Sequence, residues 1–434
     1  MERYHFIGIG GIGMSSLASI LLDRGATVTG TDLSLNERTD FLQKKGALIH
    51  EGHDARWVHP DATVVYHARI SKTHPELIQG NKTIHRLDLL KQTVGELPIY
   101  AVVGAHGKTS TAALLAHVLS SFDSKFGFSV GGVLCNSLLN GKDGEKGFAI
   151  EGDESDGSFL RIGPTGAILT NVDPDHLDFW DNFDLLKKGY RQFIEGIYDP
   201  TLLFYAVDED QELVEKGVSY GIGKGAIQAY DLRAIEEGTV FSIIDQRTQE
   251  TVLDLFLPLF GEHQVKNALG VYGLCRRLGV PTSHILEAFR SYLGVKRRCE
   301  LMGDFMGAKV FCDYGHHPAE LKATFQGLKK HHLSKMTVVF EPHKFSRTKS
   351  FFSEFVEVLS SADELILLET YPATESYDFE GSSEKLALAL GKKVVKTTEL
   401  RKDLESRGAS EGVLLFIGAG TIDRTCAACL FSKD

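Results

Sequence analysis

Gly104, Gly107, Lys108 and Thr109 lie in the stretch IYAVVGAHGKTSTAALLAHVL, residues 99–119. An apolar strand, a glycine turn and a Lys-Thr pair opening a helix form the layout of a phosphate-binding loop. Backbone amides face the phosphates, the lysine supplies charge, and the threonine hydroxyl is a magnesium ligand. The common signature places four residues between its first glycine and Gly-Lys-Ser/Thr. Here only Ala105 and His106 intervene. The bland alternative is an ordinary strand-to-helix turn; the strand before it and the alanine- and leucine-rich helix after it favour the phosphate loop. Magnesium also needs hard oxygen ligands nearby. FAIEGDESDGSF offers Glu151, Asp153, Glu154 and Asp156, and ILTNVDPDHLDFW offers Asp173, Asp175, His176 and Asp178. Acidic runs are usually just solvated, but each of these follows an apolar strand, and ligands of open α/β sheets gather at the carboxyl ends of strands.

A second glycine motif opens the chain. FIGIGGIGMSS satisfies G-x-G-x-x-G at Gly8, Gly10 and Gly13, and Asp32 closes the next strand, TVTGTD. Taken alone it reads as a nicotinamide dinucleotide site, as a seat for another diphosphate such as a nucleotide sugar, or as a tight turn without a ligand. Further polar groups cluster at element ends, where sites form. They are His263 and Asn267 in FGEHQVKNAL, Arg297 and Arg298 in GVKRRCEL, Asp313, Tyr314, His316 and His317 in VFCDYGHHPAEL, and His343, Lys344 and Arg347 in VVFEPHKFSRTKSF.

The elements that must position these groups alternate between short apolar strands and helices, a pattern that predicts parallel sheets with crossover helices. Three α/β domains in series are expected: a Rossmann-like domain over 1–94, a central P-loop ATPase-type domain over 95–293, and a C-terminal Rossmann-like α/β domain over 294–434. The stretch 217–257 reads as turn-rich and antiparallel. With 434 residues the chain is too long for one core. Hydrophobic residues at 43% and charged residues at 24% are ordinary for a globular protein. A net charge of −11 argues against a nucleic-acid partner, which needs a basic surface. No apolar run is long enough to span a bilayer, and the start shows no basic region before an apolar core, so neither membrane insertion nor a leader is expected. Six scattered cysteines suit a reducing, cytoplasmic setting. The Cys426–Cys429 pair reads as helix packing, since no second ligand pair accompanies it.

Taken in order, HFIGIGGIGM, GAHGKTST, EGDESDGSF, NVDPDHLD, GEHQVKNAL, GVKRRCEL, DYGHHP, EPHKFSRT and GAGTID resemble the motifs of the Mur ligase family along nearly the whole chain. Within it the chain is most similar to the member type that joins L-alanine to the lactyl carboxylate of UDP-N-acetylmuramate in peptidoglycan precursor synthesis, forming ADP through an acyl phosphate. The resemblance implies that the shortened loop is an ATP site. Gly104, His106, Gly107, Lys108, Thr109 and Ser110 would hold the phosphates, His263 and Asn267 would lie on the adenine side, and Arg298 and Asp313 near phosphate and ribose. It also implies two magnesium ions, with Thr109, Glu151 and His176 as ligands, and a catalytic set of Lys108, Glu151, His176 and Arg298. Gly8, Gly10, Gly11, Gly13, Met14, Ser15 and Asp32 would hold the UDP-sugar, and Tyr314, His316, His343, Lys344 and Arg347 the incoming alanine. Closure of the domains on binding is expected from sites so divided. The chain departs from the family pattern at Gln264, Lys344 and YHARI, residues 66–70. The rivals are a recycling ligase that adds a tripeptide to the same sugar nucleotide, a nicotinamide-dependent oxidoreductase, and a nucleotide-switch binding protein. Oligomeric state stays open between monomer and homodimer.

Overall fold

The computed structural model describes residues 2–208, 213–331, 335–407 and 412–431; the side chain of Asp178 lies outside what is described. The fold is a three-domain α/β architecture with one sheet per domain. The first sheet contains β1 (Arg3–Ile7), β2 (Thr27–Asp32), β3 (Leu48–Glu51), β4 (Thr63–Tyr66) and β5 (Lys82–His85), all parallel, in the order β3-β2-β1-β4-β5. The order reverses at β1, and the glycine motif follows β1 directly, where such sheets open a crevice. β-Branched residues in TVTGTD and TVVY suit the pleated, half-buried surface. The helix Ile12–Asp23 buries Leu17, Ile20 and Leu21.

The second sheet has ten strands: β6 (Ile99–Val103), β7 (Phe126–Ser129), β8 (Gly141–Lys142), β9 (Gly147–Glu151), β10 (Gly166–Leu169), β11 (Leu203–Ala206), β12 (Val218–Ile222), β13 (Ile227–Ile235), β14 (Gly238–Asp245) and β15 (Glu250–Leu257). Their order is β15-β14-β13-β12-β11-β10-β6-β9-β7-β8. The middle of this sheet is parallel, and every residue of β6 is buried, which fits its unbroken apolar sequence IYAVV. The antiparallel reading of 217–257 needs correction at its start. β12 pairs in parallel with β11 and with β13, and the intervening turn uses left-handed backbone at Gly223 and Gly225 (φ 68° and 94°). β13 and β14 are joined by the two residues Glu236 and Glu237, the length of a hairpin.

The third sheet contains β16 (Glu300–Phe305), β17 (Ala308–Asp313), β18 (Met336–Glu341), β19 (Glu364–Leu368), β20 (Val394–Val395) and β21 (Gly412–Gly418), in the order β16-β17-β21-β18-β19-β20. Only β16 runs antiparallel, and its pairing with β17 shifts register between Leu301 and Gly303.

Packing divides the chain into two compact units. Met1–Asp231, Phe241–Phe256 and Val265–Leu293 carry the first two sheets apart from parts of β13–β15, and Leu232–Val240, Leu257–Gln264 and Gly294–Asp434 carry the third. Within the first unit one apolar core runs on from Phe6, Leu17 and Val65 to Ala101, Ile150 and Leu169. The helix Ile12–Asp23 docks on the central domain through polar contacts. Ser16 Oγ lies 2.7 Å from Ser129 Oγ, Ser19 Oγ donates to Gly141 O at 2.9 Å, and Asn140 Nδ2 donates to Ile12 O and Ser15 Oγ at 2.8 and 2.9 Å. A side chain at Gly141 would collide with Ser16. The third sheet buries Phe311, Leu321 and Val338 on one face and Val310, Val339 and Leu414 on the other.

Candidate active site

The shortened loop follows β6 and ends at Gly107, which is left-handed (φ 79°) and caps the helix Lys108–Phe122. The amides before Thr111 N, which donates to Gly107 O at 2.9 Å, have no intrahelical partner, which makes the helix N-terminus a seat for anions. Gly104 is required by its φ of 138° and by crowding: a Cβ there would collide with Thr170 Oγ1 and come 2.8 Å from Asn171 O. The end of β10 knits the loop in place. Asn171 O and Oδ1 accept from Ala105 N (3.2 Å) and His106 N (2.7 Å), while Thr170 Oγ1 and Asn171 Nδ2 donate to His106 O at 2.7 and 2.8 Å.

Lys108 folds over its own loop. Its Nζ donates to Gly104 O (2.7 Å), Ala105 O (3.0 Å) and Glu154 Oε1 (2.8 Å). Glu154 is fully buried, and burial pushes its carboxyl above the usual range although Lys108 opposes the shift. Its second oxygen, Oε2, is buried with no hydrogen-bond partner among the described residues. His176, itself left-handed (φ 52°), places Nε2 3.9 Å from Glu154 Oε1 and 3.7 Å from Asp175 Oδ2. Beside this group, Thr109 Oγ1 donates to Glu151 Oε1 at 2.7 Å, and Gly131 N donates to Glu151 Oε2 at 2.5 Å. His106 Nε2 stands 3.8 Å from Asp173 Oδ2. Ser110 lies half-buried in the first turn of the helix. Asn267 is buried near the start of the helix Glu262–Arg277, close enough that a Cβ on Gly107 would meet its Oδ1 at 3.0 Å. The strand ends therefore bring together Lys108, Thr109, Glu151, Glu154, His176 and Asn267.

The first glycine loop is built differently. Thr31 O accepts from Gly8 N and Ile9 N at 2.8 and 3.0 Å, and Asp32 Oδ2 accepts from Gly10 N at 2.8 Å. Asp32 thus spends one carboxylate oxygen on holding the loop. Gly11 N turns back to Gly8 O at 3.0 Å, and Met14 and Ser15 are buried. Two cations reach this loop from elsewhere. Arg38 Nε donates to Gly10 O at 2.6 Å, and the Arg86 guanidinium occupies the space that a side chain at Gly13 would need. His67 is held below its ordinary value, first by burial and then by Arg86.

In the second unit, Arg297 and Arg298 place their guanidinium carbons 4.8 and 5.3 Å from the Tyr314 ring centre. Tyr314 meets His316 edge-on at 5.3 Å, and His316 meets His343 at 6.0 Å. Arg347 Nη1 lies 3.1 Å from His343 Nδ1. His343 is pushed down to about 4 by burial, reinforced by Arg347, His316 and Lys344. Lys344 has left-handed backbone (φ 71°) and donates its amide to Tyr371 O at 2.9 Å. Asp313 uses both carboxylate oxygens on backbone amides, those of Cys299 and Gly315, each at 2.7 Å; burial raises its pKa. His263 is exposed at the start of the helix Glu262–Arg277.

Arg38 and Arg86 carry no local motif, and Asn171, although it opens NVDPDHLD, was not singled out among the candidate residues. Glu154 stood in the acidic run, but nothing local distinguished it from its neighbours. A cavity of about 590 Å³ lined by Lys216, Arg247, Arg276 and Arg277 lies elsewhere in the first unit, near the starts of β11 and β12. Ligands of such sheets bind at the opposite, carboxyl ends, so the loop and not this cavity is the candidate site.

The chain belongs to the Mur ligase family. Residues 3–98 match its catalytic domain, 102–275 its middle domain, and 297–420 the domain described as Mur ligase, glutamate ligase domain. The UDP-N-acetylmuramate–L-alanine ligase of Aquifex aeolicus is 36% identical over 98% of this chain and 96% of its own. That of Protochlamydia amoebophila is 33% identical over 99% and 97%. The solved UDP-N-acetylmuramate-alanine ligase of Thermotoga maritima superposes with a TM-score of 0.86 at 27% identity, covering 99% of this chain and 98% of its own. A murein peptide ligase from Psychrobacter arcticus shares the fold at TM-score 0.73 and 22% identity, with both chains fully covered.

Proposed function

We propose that this protein is an ATP-dependent, ADP-forming ligase that joins L-alanine to the lactyl carboxylate of UDP-N-acetylmuramate in peptidoglycan precursor synthesis. One observation carries the nucleotide half of the reading: a helix N-terminus, Lys108, and the Thr109–Glu151 pair converge where the shortened glycine loop leaves β6. The alanine-adding ligases that match this chain end to end support the substrate half.

In this reading the lactyl carboxylate attacks the γ-phosphorus of ATP, ADP leaves, and the alanine amine then displaces phosphate from the acyl phosphate. The loop amides and Lys108 offset charge on the transferring phosphoryl group, the main protein contribution in such reactions. Lys108 moves from the carbonyls of Gly104 and Ala105 to the phosphates, while Glu154 keeps hold of its ammonium. Asn171 fixes the loop so that this exchange costs no backbone rearrangement. The first glycine loop, with Arg38 and Arg86, binds the UDP diphosphate, and Met14, Ser15 and Asp32 complete that pocket. Tyr314, His316, His343, Lys344 and Arg347 bind alanine. His263 and Asn267 serve the adenine side, with Arg298 and Asp313 toward phosphate and ribose.

The donor set also fits magnesium. Thr109 and Glu151 offer paired hard oxygens, and Glu154 Oε2 is a buried carboxylate oxygen without a partner among the described residues. Thr109, Glu151 and His176 would hold two such ions, which when bound would supply electrostatic neutralisation of the phosphates.

The test is phosphate release with ATP, UDP-N-acetylmuramate and a panel of amines. Release dependent on both the sugar nucleotide and L-alanine is expected. Release with L-alanyl-γ-D-glutamyl-diaminopimelate and none with alanine would transfer the assignment to the recycling ligase.

A further inference from the structure

Beneath the first glycine loop lies a cluster that the proposed reaction does not use. Glu76, on the short helix Pro75–Gln79, is fully buried. Its Oε2 accepts from Thr31 Oγ1 (2.8 Å) and lies 3.1 Å from His5 Nε2, and its Oε1 accepts from Asp54 N (2.9 Å) and lies 3.2 Å from His53 Nδ1. His74 stands edge-on to His53, with ring centres 4.8 Å apart. The His74 Nδ1 atom is buried with no hydrogen-bond partner among the described residues. One donor atom from each of His53, His74 and Glu76 falls within 4.8 Å of the others.

The geometry points to a binding site for one divalent cation of the zinc class at His53, His74 and Glu76. Two imidazoles and a carboxylate suit zinc, nickel or cobalt, whereas magnesium prefers an all-oxygen set. A purely structural network would account for Glu76, whose four contacts satisfy both oxygens. It would not account for His74, which brings a ring nitrogen out of water and gives it nothing to bond; buried polar atoms of that kind call for a reason. His5, Thr31 and the Asp54 amide supply the outer shell that orients a ligating carboxylate. Binding would release to solvent any proton on the nitrogen that becomes a ligand. The site also touches the loop above it, because the Thr31 whose hydroxyl donates to Glu76 accepts the Gly8 and Ile9 amides on its carbonyl.

The inference is independent of the proposed reaction, and its test reads binding alone. Tag-free, full-length protein is stripped with chelator and titrated with Zn²⁺ against a chromophoric chelator, and with Co²⁺ followed by visible absorption, both with excess Mg²⁺ present. Uptake of one ion per chain is expected, with weakening by about 100-fold or more in His74→Ala and His53→Ala. Uptake should be unchanged in Glu151→Gln, which alters the end of β9 beside the other glycine loop. His74→Gln, which keeps a polar side chain of similar reach, is the second variant should His74→Ala fail to fold. No stoichiometric uptake by the wild type, or equal uptake by the His74 variants, overturns the site. Uptake lost in Glu151→Gln and kept in the His74 variants also overturns it.

Discussion

The two glycine loops of the first unit share a backbone plan and differ in where their charge comes from. Each leaves the carboxyl end of a central parallel strand, turns on left-handed glycine and opens a helix. The loop after β6 brings its own cation and hydroxyl, Lys108 and Thr109, and borrows acids from the ends of neighbouring strands. The loop after β1 has no cation of its own. Its amides are tied to Thr31 and Asp32, and Arg38 and Arg86 arrive from other elements. In the proposed reaction the same helix N-terminus would serve reaction in one place and retention in the other. A group that must follow charge through a transition state belongs on the loop itself, whereas groups that only hold a diphosphate can come from elsewhere.

That contrast can be broken most forcefully at Lys108. Lys108→Ala should lower kcat for phosphate release by about 10³-fold while circular dichroism shows an intact fold; a residual rate within a few-fold of wild type would remove the catalytic role. Glu154→Gln should cost about 10²-fold in kcat, because it weakens the charge that steers Lys108 without touching the loop backbone. On the retaining side, Arg86→Ala should raise KM for the sugar nucleotide by about tenfold, equivalent to about 1.4 kcal/mol, and leave KM for ATP unchanged. An equal rise in both would erase the division between the loops. Gly104→Ala tests geometry alone. Left-handed backbone and the collision with Thr170 together should lower stability by about 1–3 kcal/mol, read as a fall in Tm.

The smallest effect lies outside both loops, at His343. Its ring is held neutral, with a pKa near 4 against an ordinary 6.5. The neutral ring's contribution to stability is therefore full above 6.5 and is lost as pH falls from 6.5 towards 4. His343→Asn should flatten the stability profile in that window, and an unchanged slope would show that other groups set it.

Much of the shortened glycine loop was readable in the chain. Gly104, Gly107, Lys108 and Thr109 are consecutive or nearly so, and a helix N-terminus needs only local sequence to form. Glu151 and His176 were legible because each closes an apolar strand or follows one, and parallel strands end on the same edge. The first loop was legible as a glycine turn opening a helix but not as to its ligand, since G-x-G-x-x-G specifies a backbone path and leaves what binds there to other segments. The turn after β12 was misread because Gly223 and Gly225 suit a hairpin as well as the parallel return they make.

Local order along the chain settled the three α/β domains, the glycine turns and the residue types at strand ends, because strand, turn and helix preferences act over a few neighbours. Folding alone settled that Glu154, rather than another acid of its run, pairs with Lys108. It likewise settled that Asn171 clamps the loop, that Arg38 and Arg86 reach the first glycines, and that His53, His74 and Glu76 meet. Those encounters join side chains far apart in sequence, and only sheet order and core packing decide which of them come within bonding distance.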